Sequence, residues 1–103
     1  MATINAVIVD PDGTARKTQI EPTLGAFQAV VGGYIEGVFR ADFTIYVNED
    51  GIMKRLPQNE RVTEFVNYPY PLFGTALIVG PADEDGLDTD VPEHVIRYYE
   101  LEQ

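Results

Sequence analysis

The sequence predicts an α+β domain, a small mixed or antiparallel sheet of about five strands with two helices packed on it. Three observations lead to that class. Short apolar runs of strand length recur along the chain, and turn clusters separate them, helped by nine Gly and seven Pro in 103 residues. The strands fall into hairpins divided by single helices rather than alternating one for one with helices. At 45% hydrophobic and 11% aromatic residues, the chain can bury one core and has no length for a second. Residues 1–103 therefore read as one domain, with an acidic loop at 82–90 and a last helix at 91–102 appended to the sheet.

Ile4 to Val9 alternates as a strand does, and both of its faces are apolar, which predicts an interior position. Asp10-Pro11-Asp12-Gly13 is a turn: Pro fixes φ at its second position and Gly accepts positive φ at its fourth. Thr14 to Ile20 returns as a more polar edge strand. Thr23 is placed to cap a helix that carries Leu24, Phe27, Val30 and Val31, and Gly32-Gly33 ends it. Tyr34 to Phe39 and Phe43 to Val47 read as two strands around a short turn. Asn48-Glu49-Asp50-Gly51 carries the Asp-Gly pair favoured in tight or bulged hairpins. Ile52 to Tyr70 reads as irregular, because Leu56-Pro57-Gln58-Asn59 interrupts a helix and Pro69 and Pro71 bracket Tyr70. Gly74 to Val79 is a buried strand. Asp90 with Glu93 forms a capping-box pattern ahead of the last helix, whose apolar side holds Val91, Val95 and Tyr98.

Seventeen acids against seven bases give a net charge of −10. A chain this acidic repels phosphate backbones and anionic headgroups, so direct nucleic-acid or membrane binding is not expected. Charge is concentrated late: Ala82 to Gln103 holds eight acids and one base, Arg97. Cysteine is absent, which excludes disulfides, thiolate zinc sites, iron–sulfur clusters and cysteine nucleophiles. Serine is absent too, excluding a serine hydrolase. No apolar run is long enough to span a bilayer. The N-terminus lacks the pattern of a secretory signal, so a cytoplasmic address is expected.

Candidate chemistry is sparse. His94 stands alone in the first turn of the last helix, with no common nucleophile to serve. The loop Asp83 to Asp90 suggests calcium, but Leu87 and Gly86 break the ligand spacing that an EF-hand loop requires. No metal and no cofactor is expected. In the middle of the chain, Asn48, Asn59 and Arg61 form a polar set suited to a small anionic ligand, with Tyr34 as a ring to stack on a base. The plainer reading is that both amides satisfy turn backbone and that Arg61 pairs with nearby acids. Tyr68-Pro69-Tyr70-Pro71 is a stiff aromatic segment that either covers the core or presents a sticky surface. Acid–base work would fall to carboxylates alone, such as Glu36 with Glu64, and nothing in the spacing joins them.

Four segments occur here in a set order: Gly32-Gly33-Tyr34-Ile35-Glu36, Asn48-Glu49-Asp50-Gly51, Leu56-Pro57-Gln58-Asn59 and Gly74-Thr75-Ala76-Leu77-Ile78-Val79-Gly80. In that order they resemble a family of small proteins common in bacteriophages and bacterial mobile elements, the domain of unknown function 3846. The resemblance covers Ile4 to Pro81. It implies a phage or mobile-element origin and the bacterial cytoplasm as workplace, and Asn48, Gly51, Pro57 and Asn59 as recurring residues. It implies no activity.

The leading expectation is a non-catalytic accessory protein that binds a host protein. Its patch would combine Asp83, Asp85 and Asp88 with Tyr68 and Tyr70. The rival is a protein that binds or sequesters a nucleotide-like signal through Tyr34, Asn48, Asn59 and Arg61. A carboxylate enzyme is the third reading. The oligomeric state stays open.

Overall fold

The computed structural model describes residues 2–102. Five strands form one sheet: β1 (Ile4–Val9), β2 (Ala15–Ile20), β3 (Ile35–Phe39), β4 (Thr44–Asn48) and β5 (Ala76–Val79). Their spatial order is β2-β1-β5-β4-β3, and every neighbouring pair is antiparallel. Three helices pack on it: α1 (Leu24–Val31), α2 (Glu60–Val66) and α3 (Glu93–Tyr98). The α+β class is as the sequence predicts.

The apolar character of both faces of β1 has its counterpart in a sheet covered on both sides. Ala6, Ile8, Leu77 and Val79 face α1 and pack with Phe27 and Tyr46. Val7, Val9, Ile45 and Ile78 face the other way, onto Val62 and Val66 of α2 and Val95 and Ile96 of α3. α3 is thus part of the core rather than an appendage. The Phe65 ring of α2 lies tilted against Tyr98 and Tyr99, with ring centres 4.7 and 5.4 Å away, joining the two helices on that face.

Several local devices match their sequence signals. The Thr23 hydroxyl accepts from the Ala26 N–H at 3.2 Å, and Gly32 closes α1 in the left-handed region at φ 80. The Asp10 turn is closed by the Gly13 N–H on the Asp10 carbonyl at 2.9 Å.

Other expectations require correction. The segment 52–70 contains α2, which makes three helices among the described residues where two were expected. Asn59 does not interrupt a helix but starts this one: its Oδ1 accepts from the Val62 N–H at 3.2 Å. Asn67 ends it in the left-handed region. The Asp50-Gly51 turn makes no hairpin, because β4 pairs with β3 and β5 and the chain leaves the sheet there. The last helix spans Glu93–Tyr98 rather than 91–102, with Pro92 as its N-cap residue and no side-chain cap. Asp90 is spent elsewhere, its Oδ1 accepting from the Asn5 N–H at 2.8 Å.

Asn59 is the most buried polar side chain of the described residues. Its Nδ2 donates to the Val9 carbonyl at 2.8 Å and to the Gly74 carbonyl at 2.9 Å. Its main-chain N–H donates to the Leu72 carbonyl at 2.7 Å. Thr63 completes the knot, donating its hydroxyl to the Asn59 carbonyl at 2.7 Å and accepting from the Leu72 N–H at 3.0 Å. One side chain therefore fixes the end of β1, the approach to β5 and the start of α2. Replacing Asn59 by Ala removes a cap and two buried donors, and should lower unfolding stability by about 2–4 kcal/mol in a denaturant titration. A loss below about 1 kcal/mol would show that the knot is dispensable.

Candidate functional site

β4 ends at Asn48, which is buried. Its Nδ2 donates to the Val31 carbonyl at 3.1 Å, and its Oδ1 accepts from the Asp50 N–H at 2.8 Å. The chain then coils through successive turns, with the Lys54 N–H on the Asp50 carbonyl at 2.8 Å and the Leu56 N–H on the Gly51 carbonyl at 2.9 Å. This coil projects Ile52 and Met53 outward, 72% and 85% exposed.

Across from it runs the proline-stiffened segment 68–73. Leu72 is buried and Tyr68 packs against the core, whereas Tyr70 is 72% exposed. An open groove of about 550 Å³ separates the two walls, with Val47 at its base and Glu36 of β3 on one side. Three acids line it, Glu36, Glu49 and Asp50, and none of the described lining residues is basic. The groove is thus an apolar trough with an acidic rim.

The structure gathers some of the expected residues and separates others. Tyr68 and Tyr70 share the groove, and Asn48 contributes to its wall. Tyr34 is exposed but lines a neighbouring hollow with Gln28 and Lys54. Asn59 lies in the interior, with its donors and its acceptor engaged by main chain. Arg61 donates to the Gly13 carbonyl at 2.6 Å, and its guanidinium carbon lies 4.8 Å from the centre of the Tyr99 ring. Tyr34, Asn48, Asn59 and Arg61 do not converge on one cavity. Glu36 lines the groove and Glu64 a separate hollow beside Thr63 and Pro71.

The acidic loop sits apart from the aromatic segment. It follows β5 at the end where Val79 pairs with Thr44, whereas the groove lies at the Asn48 end of β4. Its acids are partly occupied. The Asp83 Oδ1 accepts from the Asp85 and Leu87 N–H groups at 2.9 and 3.0 Å, which shapes the turn. Asp88 accepts from the Tyr46 hydroxyl at 3.0 Å. Burial first, and then the hydrogen bond and charge of Asp88, push the Tyr46 phenol well above its ordinary pKa of 10.0. Burial does the same at Tyr99, with a further push from Tyr98 and a smaller opposing pull from Arg61. His94 meets Asp42 through Nε2 at 2.5 Å, a tie from α3 to the β3–β4 turn.

Ile52, Met53 and Glu36 are the groove residues that a reading of the chain does not single out as a surface. The available signal is the apolar pair Ile52-Met53 directly after an Asp-Gly turn, where a turn composition calls for polar residues. Among the described residues, no three of His, Asp and Glu gather as metal ligands. No described helix is long and apolar enough to cross a membrane.

A family profile matches residues 4–102, described as a domain of unknown function, DUF3846. The chain belongs to that family. The match extends past Pro81 and takes in the acidic loop and α3. No curated protein and no solved structure matches the chain significantly.

In this DUF3846 domain the raised pKa of Tyr46 has a stability consequence. A phenol held neutral in the fold contributes fully below the unfolded value, near 10.0, and its contribution is lost as pH rises toward the higher folded value. Unfolding stability should therefore fall above pH 10, and Tyr46→Phe should make that fall shallower while costing about 1 kcal/mol at neutral pH. Equal alkaline slopes for the two proteins, measured by denaturant titration, would contradict this.

Proposed function

We propose that this chain is a non-catalytic accessory protein of phage or mobile-element origin that binds a host protein in the bacterial cytoplasm. Its contact surface is the groove between the turn at Asn48–Met53 and the segment Tyr68–Phe73. The observation that carries this reading is the joint exposure of Ile52, Met53 and Tyr70 around one hollow. Large apolar side chains clustered in water are costly, and such clusters with a polar rim are characteristic of protein interfaces. The resemblance to a family common in bacteriophages and bacterial mobile elements supports the origin and the cellular setting.

The small-ligand reading has less support. The amides of Asn48 and Asn59 are engaged with main chain, and the acids around the groove oppose an anionic guest. Acid–base catalysis by Glu36 and Glu64 has no shared cavity to work in.

The test is affinity capture from bacterial lysate with tagged protein, followed by measured affinity for whatever is recovered. Met53→Ala combined with Tyr70→Ala should weaken binding by about tenfold or more with the fold intact, since both side chains are exposed. Glu84→Lys with Asp85→Lys should leave it unchanged. Binding that survives the groove change and fails with the acidic-loop change would overturn the assignment.

A further inference from the structure

β3 is the last strand of the sheet, and among the described residues only β4 pairs with it. In an antiparallel pair, alternate residues turn their main-chain groups toward the partner and away from it. The Glu49 N–H donates to the Tyr34 carbonyl at 2.8 Å, and the Arg40 N–H donates to the Phe43 carbonyl at 2.9 Å. With Glu36 opposite Val47 and Val38 opposite Ile45, the even-numbered residues bond to β4. The N–H and C=O groups of Ile35, Gly37 and Phe39 therefore point outward. Of these, the Phe39 carbonyl accepts from the Arg40 guanidinium at 3.0 Å, and no described hydrogen bond uses the rest.

Such an edge is a template for another strand unless it is guarded. The opposite edge, β2, is guarded by exposed Arg16 and Lys17. β3 carries no base and no Pro. Its two faces are also unlike. Glu36 faces the groove with Glu49 and Asp50 nearby, while on the α1 side the exposed Phe39 ring lies over Gly37. A Cβ at Gly37 would meet that ring at 2.5 Å, so glycine lets the ring lie flat along the strand.

We propose that β3 takes an extended, basic segment of a partner protein as a further strand of the five-stranded sheet. This rests on the reading of the groove as a partner-binding surface and states how the partner enters it. Alternation decides the chemistry of the segment. Lysine or arginine on the groove side reaches Glu36, Glu49 and Asp50 while its stem lies on Ile52 and Met53. Apolar side chains on the other side cover Ile35 and Phe39. A second copy of β3 is the poorer occupant, because it sets Glu36 and a chain of net charge −10 against their like.

The probe is a terminally blocked peptide of alternating lysine and valine, about seven residues long. Its affinity is read by fluorescence anisotropy together with two versions N-methylated on alternate residues. One methylated set should bind about tenfold or more weakly and the other as well as the parent, because only one set of N–H groups faces β3. Glu36→Lys should weaken the parent peptide, and added salt should do the same. If Met53→Ala with Tyr70→Ala weakens the peptide but neither methylation pattern does, strand addition is overturned and the groove reading stands. A glutamate–valine peptide that binds equally well overturns the basic assignment. A dimer seen by sedimentation that excludes the peptide assigns the edge to a second copy and also overturns it. If the parent peptide fails to bind, the proposal falls, and the lysate capture then judges the groove on its own.

Discussion

The architecture depends on one buried amide. Asn59 sits where three pieces of chain must meet without a helix or strand to join them: the end of β1, the approach to β5 and the first turn of α2. Each has a polar main-chain group that would be stranded out of water, and a single side chain with two donors and one acceptor serves them together. Thr63 and Leu72 close the same knot from the far side. Because Leu72 is fixed there, Tyr70 and Pro71 are held outward and the groove keeps its second wall. The first wall is set in the same manner by Asn48, which ties the turn after β4 to the end of α1. Two asparagines that look like ligand residues on paper are therefore the fasteners of a surface made by their neighbours.

The division of labour explains the composition of the groove. Its geometry comes from buried polar groups with few alternatives, while the side chains of Ile52, Met53 and Tyr70 stand exposed. The acids that line it are not neutralised by lining bases, so the trough combines apolar area with a negative rim. In the acidic loop, Asp83 is occupied with its own turn and Asp88 with Tyr46.

Much of the fold is legible in the chain. β1, the Asp10 turn, α1 with its Thr23 cap and Gly32 stop, and β3 to β5 follow from periodicity and turn chemistry. α2 is obscured because Pro57 and the bracketing prolines dominate the local signal, and because Asn59 reads equally as a turn residue and as a cap. Asp90 misleads for a related reason: its carboxylate suits a helix cap, but the Asn5 N–H claims it from across the fold. The site is less legible still. Tyr68 and Tyr70 stand out by composition, yet their pairing with Ile52, Met53 and Glu36 depends on long-range contacts set by the Asn59 knot. The even–odd split along β3 also becomes visible only with its register to β4 known.

Among the described residues, β3 presents an open edge beside the groove. Amide hydrogen exchange in the free protein, followed residue by residue by NMR, reports on that edge. The Glu36 and Val38 amides should exchange slowly, and those of Ile35, Gly37 and Phe39 close to the rate of exposed chain. Equal protection at all five positions would mean that the edge is already covered and closed to a further strand.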